Sequence, residues 1–156
     1  HLDYIKIPFD ALPMDALKED PVILQYHETL RELSASPIVN LTGISNTDLK
    51  LTYGAPNIDL LSCYDQRYTL LARTLQDWAA ALAGKDFPLE AIAVLEFAVS
   101  THTDVSASYK LLSSLYLKQG CPEKIRDLIP VAESLNSGMK KHILSILEEA
   151  LSQAAN

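Results

Sequence analysis

Between residues 71 and 137, large apolar side chains return every three or four positions, the spacing of one face of an α-helix. The run LQDWAAALAGKDFP at 75–88 is matched by YKLLSSLYLKQGCP at 109–122. Leu75 falls on Tyr109, Trp78 on Leu112 and Leu82 on Tyr116, each 34 residues further on. The small residues Ala79 and Ser113 keep that offset, as do Asp86 and Gly120, and the prolines Pro88 and Pro122. Past the prolines, an offset of 33 aligns Ile92 with Ile125, Leu95 with Leu128 and Ala98 with Val131. The pattern predicts two copies of one unit: a helix, a tight turn, and a second helix opened by proline, whose missing N–H costs nothing there. The small residue within the apolar stripe lets the second helix approach closely. One such pair leaves an apolar face uncovered, so neighbouring pairs are expected to stack.

The flanks read differently. Residues 1–64 form an irregular N-terminal arm with one helix, packing as a cap, and residues 65–156 hold the helical repeats and a closing helix, the whole being one compact unit. Early in the arm, Tyr4, Ile5, Ile7 and Phe9 are expected to pack as an extended segment before Pro13. Asp20-Pro21 is a helix start, with Asp as N-cap and Pro at the first position. Val22, Ile23, Tyr26, Leu30 and Leu33 give that helix its stripe, and Ser34 to Pro37 stop it. Ser45 to Asp48 read as the cap of a short helix ending near Gly54. At the other end, Met139, Ile143, Ile146, Leu147 and Leu151 form a stripe, with Lys140, Lys141, Glu148 and Glu149 largely opposite. A terminal helix with one polar face suits the end of a stacked array.

A 34-residue helix–turn–helix period with this spacing resembles the tetratricopeptide repeat family. The resemblance covers two repeats, about 71–104 and 105–137. The first keeps Trp78, Ala79, Leu82, Ala91, Ile92 and Ala98; the second keeps Tyr109, Leu112, Ser113, Tyr116 and Gly120. Both copies are degenerate. Near Ala91 of the first the second has Lys124, Pro130 lies inside its second helix, and no proline closes either copy. An interior proline costs about 3 kcal/mol or more. The resemblance implies an all-α superhelix of two degenerate repeats and a C-terminal capping helix. It also implies a concave groove lined by the first helix of each pair. In this chain those positions are Arg73, Gln76, Asp77 and Ala80, then Lys110, Leu111, Ser114, Leu117 and Lys118. A protein or peptide partner is the implied ligand; the asparagines with which the family grips a carboxylate terminus are missing. The run from Ile38 to Leu71 also resembles uncharacterised repeat proteins of anaerobic Gram-positive bacteria, which implies a short hydrophobic anchor upstream. The chain opens at His1 rather than Met, which fits that expectation and would place the domain at a membrane surface.

Composition narrows the function classes. Apolar residues make up 48% and charged residues 21% of 156, ordinary for a globular domain. The net charge of −7 argues against a nucleic-acid partner, which calls for a basic surface. No run of 18 apolar residues is present, so no membrane span is expected. Asn40-Leu41-Thr42 is a formal glycosylation sequon of the kind chance often produces. Cys63 and Cys121 are too few for a disulfide framework and are expected as buried or half-buried thiols. His27, His102 and His142 form no HxxxH or HExxH pair; His27 reads as a helix-surface residue beside Glu28, and His102 as exposed. There is no GxSxG, GxGxxG or P-loop, and the acidic pairs read as solvated helix faces. The reading is therefore a scaffold or adaptor with no catalytic, cofactor or metal site. Its alternatives are an oligomerising structural module with a self-filled groove or homodimer interface, and a thiol-dependent enzyme using Cys63.

Overall fold

The computed structural model describes residues 2–156. Among them are seven α-helices, one 3-10 turn at Ala55–Asn57, and a single isolated β-bridge between Tyr4 and Val39. The chain is all-α. In order the helices are α1 (Pro21–Ser34), α2 (Asn46–Tyr53), α3 (Ile58–Gly84), α4 (Pro88–Ser100), α5 (Ser106–Lys118), α6 (Glu123–Glu133) and α7 (Lys140–Ala154). The arm thus carries the helix opened at Asp20-Pro21 and the short helix capped by Ser45, and α3 begins within its span.

Each start and stop has a local cause. The Asp20 carboxylate accepts hydrogen bonds from the N–H groups of Val22 (2.9 Å) and Ile23 (3.3 Å), capping α1, with Pro21 at its first position. Lys85, at the end of α3, pairs with the same carboxylate at 3.1 Å and, with those backbone N–H groups, holds its pKa below the usual value. Arg67 of α3 donates to the carbonyls of Leu33 and of Pro37 (3.1 Å), closing the other end of α1. Ser45 caps α2 through Asp48 N–H at 3.1 Å, and Gly54 ends it at φ 87°.

The turns after α3 and α5 are built alike. In the first, Asp86 N–H bonds to Ala83 O and Phe87 N–H to Leu82 O. In the second, Gly120 N–H bonds to Leu117 O and Cys121 N–H to Tyr116 O. Both are Schellman caps, and both place a left-handed residue at the reversal, Asp86 at φ 66° and Gly120 at φ 72°. The paired side chains before the turns are all buried: Leu75 with Tyr109, Trp78 with Leu112, Ala79 with Ser113, Leu82 with Tyr116. Each fully buried Leu here contributes about 1.5–3 kcal/mol. Where tyrosine replaces leucine, the hydroxyl finds a partner: Tyr109 donates to Thr103 O at 2.7 Å and Tyr116 to Glu96 at 2.6 Å.

The 34-residue offset also continues past the prolines. Ala91 and Ile125, Val94 and Leu128, and Ala98 and Ala132 are all buried at that spacing, so no lost residue is needed. The offset of 33 misleads because α4 is buried nearly all round, by Ala91, Ile92, Val94, Leu95, Ala98 and Val99, and so accepts several registers. The narrower α6 buries only Ile125, Leu128 and Ala132, and Pro130 lies on its exposed side.

Packing follows chain order with one departure. α1 lies on α3, α3 on α4, and α4 on α5. By contrast, α5 and α6 touch each other only slightly, and both pack extensively on α7. The second pair is therefore splayed, with α7 filling the opening through Ile143, Leu147 and Ala150. The arm joins the main core through Ile7 and Leu12, and Ile5 N–H bonds to Ile38 O at 2.9 Å. A second, smaller cluster holds Val39, Leu41, Leu49 and Leu61. Tyr4 is not packed away as expected; the residue is 57% exposed, its ring edge-on to that of Tyr64 at 6.3 Å.

His27 is the clearest correction. It is buried, not on the surface, and its ring meets Trp78 edge-to-face at 5.1 Å. The α1 stripe runs Ile23, His27, Leu30, Leu33, while Val22 faces outward. An i, i+4, i+7 spacing from Ile23 selects position 27 whatever residue stands there.

Candidate functional site

Helix α5 turns one face to the core through Tyr109, Leu112 and Tyr116. A quarter turn away lie Lys110, Ser113, Ser114 and Leu117, at the i, i+3, i+4, i+7 spacing of a single stripe. Helix α7 has a matching stripe. His142, Ser145, Ile146 and Glu149 stand 32 residues after Lys110, Ser113, Ser114 and Leu117 respectively. The two stripes, with Ala150 and Gln153, line a groove of about 510 Å³. Its walls mix one ammonium, one imidazole, one carboxylate, hydroxyls and an amide with the apolar Leu117 and Ile146. Among the described residues, none of the N-terminal arm lines it.

Ser113 is the unusual member. It is 1% exposed, borders the groove, and its hydroxyl has no hydrogen-bond partner among the described residues. Its counterpart Ala79 has no polar atom to satisfy. A buried unpaired hydroxyl costs about 1–3 kcal/mol.

The structure brings Lys110, Ser114 and Leu117 together with α7. The other anticipated positions lie elsewhere. Arg73, Asp77 and Ala80 are exposed on α3, and Lys118 is exposed in the last turn of α5. Leu111 is half-buried against the core. Gln76 is engaged, its amide oxygen accepting from the Ser108 hydroxyl at 2.7 Å. Asp77 lies close enough to Tyr26 of α1 to help burial push that phenol up. The α7 residues stand out less in the sequence, where a last helix with one polar face reads as a cap. The signal was present in the spacing of His142, Ser145 and Glu149, which repeats that of α5.

The chemistry-bearing residues are dispersed. Cys63 is exposed on α3, not packed in the core, because the turn from Leu61 to Tyr68 buries those two residues on the opposite side. Cys121 is half-buried, its thiol 3.6 Å from Gln119 O; both cysteines are free. His102 is exposed and left-handed at φ 62°. Among the described residues, no group of three or more His, Cys, Asp or Glu could hold a metal ion. Among the same residues, no helix is long and apolar enough to cross a membrane. Asn40, the sequon asparagine, uses its amide nitrogen to donate to Thr101 O (2.9 Å) and His102 O (3.2 Å). Comparison with protein-family models, with curated proteins and with solved structures gave no match.

Proposed function

We propose that the chain is a non-catalytic protein–protein interaction module, a scaffold or adaptor, that accepts a peptide segment between α5 and α7. On this reading its helix pairs stack on the tetratricopeptide plan, and α7 takes the place of the first helix of a further unit. The matched Schellman turns and matched buried rows support the plan.

The groove itself carries the reading. Its paired stripes supply donors and acceptors for a peptide backbone, and Leu117 with Ile146 supply apolar contact. Being formed by two packed helices, it needs little ordering on binding. The exposed and half-buried polar side chains of Lys110, Ser114, His142 and Glu149 are the groups a peptide meets first along this groove.

The test is selection of displayed peptides on the folded chain, followed by anisotropy titration. Selected peptides are expected to bind in the micromolar range and to lose at least about tenfold in affinity to Leu117→Lys. Ser113→Ala should leave the fold as stable or up to about 1 kcal/mol more stable, because it removes a buried hydroxyl without a partner among the described residues. Failure to select any peptide, or equal binding by Leu117→Lys, would overturn the reading. A concentration-dependent dimer that occludes the groove in light scattering would instead favour the structural module.

A further inference from the structure

A second cleft lies where four distant segments meet: the arm at residues 3–5, the loop at 40–44, the α4–α5 connection, and the α6–α7 connection. It encloses about 430 Å³, within the range of roughly 300–1,000 Å³ usual for small-molecule sites. It shares no lining residue with the α5–α7 groove.

The walls are fixed. Besides the Asn40 bonds, Tyr68 holds Thr101 O at 3.1 Å, and Ser137 donates to Asp104 Oδ2 at 2.5 Å. Gly43, at φ 82°, lies so close to the α6–α7 connection that a Cβ would stand 1.9 Å from Asn136 O. These contacts spend the inner polar groups on structure. Asp3, Thr42, His102 and Asn136 keep side chains without internal hydrogen bonds among the described residues, and Asp104 keeps its Oδ1. The rim is open and mixed: Tyr4 is 57% and Ile44 43% exposed, beside the exposed Asp3, His102 and Asn136.

A ligand for this surface must offer several donors to two carboxylates and an amide, and a flat apolar face to an aromatic ring. Two carboxylates in a chain of net charge −7 disfavour an anion. A pyranose ring has the required arrangement, with hydroxyls along its edge and C–H bonds on its face. We propose that this cleft binds a neutral saccharide, with Tyr4 as the stacking platform and Asp104 and Asn136 pairing its hydroxyls.

Saturation-transfer NMR and calorimetry with maltose, cellobiose, lactose and diacetylchitobiose test this on the whole chain. At least one is expected to bind with a Kd of about 1 mM or below. Tyr4→Ala and Asp104→Asn should each weaken it by about tenfold or more while the helical circular dichroism stays unchanged. Asp104→Asn keeps an acceptor for Ser137, so its effect reports on the ligand. The groove variant Leu117→Lys should leave sugar binding intact, which separates this site from the peptide reading. Binding by none of the four, binding that persists in both variants, or a preference for the diamine putrescine would overturn the proposal.

Discussion

Asp86 occupies a left-handed conformation that its counterpart Gly120 adopts without strain, since glycine has no Cβ to clash. Asp86→Gly is therefore expected to stabilise the fold by about 0.5–1 kcal/mol, and Gly120→Ala to destabilise it by about 1 kcal/mol, in urea melts. The pair of opposite signs at equivalent sites tests whether the two turns are the same device. His27 makes a pH prediction. Burial first, then the charge of Arg31, holds its pKa below the ordinary 6.5, so the folded chain keeps the ring neutral while the unfolded chain takes up a proton. Stability is then fully present above about pH 6.5 and falls as the pH drops below it. His27→Phe should flatten that acid slope; an unchanged slope would place the titration elsewhere. Position 27 as a core site was legible from the spacing of Ile23, Leu30 and Leu33. It was missed because histidine beside glutamate reads as surface when residue type is weighed above period.

Among the elements, α3 packs on α4, and the small Ala79 of α3 is fully buried. Ala79→Leu should destabilise by about 1–3 kcal/mol through overpacking, measured as a lower urea midpoint at unchanged slope. A melt like the parent's would mean that the small residue does not set the helix spacing. Most element boundaries were legible because their punctuation is local: Asp20-Pro21, Ser45, Pro88, Gly120. The start of α3 at Ile58 was not, since Ala55-Pro56-Asn57 reads as a break and instead forms the 3-10 turn that leads into it. The exact offset of the second helices was also illegible. An apolar helix such as α4 carries little phase information, and only its partners in space fix which side faces α3.

For the whole molecule, the all-α class followed from periodicity, whereas the role of α7 did not. Sequence shows a helix with a polar face; it does not show that α5 and α6 splay and that α7 lies against both. That arrangement is what brings three of the anticipated groove residues opposite His142, Ser145 and Glu149, and leaves the α3 positions apart from them. The second cleft was beyond sequence reasoning for a related reason: it is assembled from the arm and three non-helical segments, which carry no helical period. The proposed function rests on an open face between α5 and α7 that accepts a peptide. Its most direct measurement is amide chemical-shift mapping of the 15N-labelled chain with a display-selected peptide. The account predicts that the largest shifts fall on Lys110, Ser114, Leu117, Ser145 and Glu149, with residues 38–44 undisturbed. Shifts that leave α5 and α7 untouched, or that gather on another face, would contradict it.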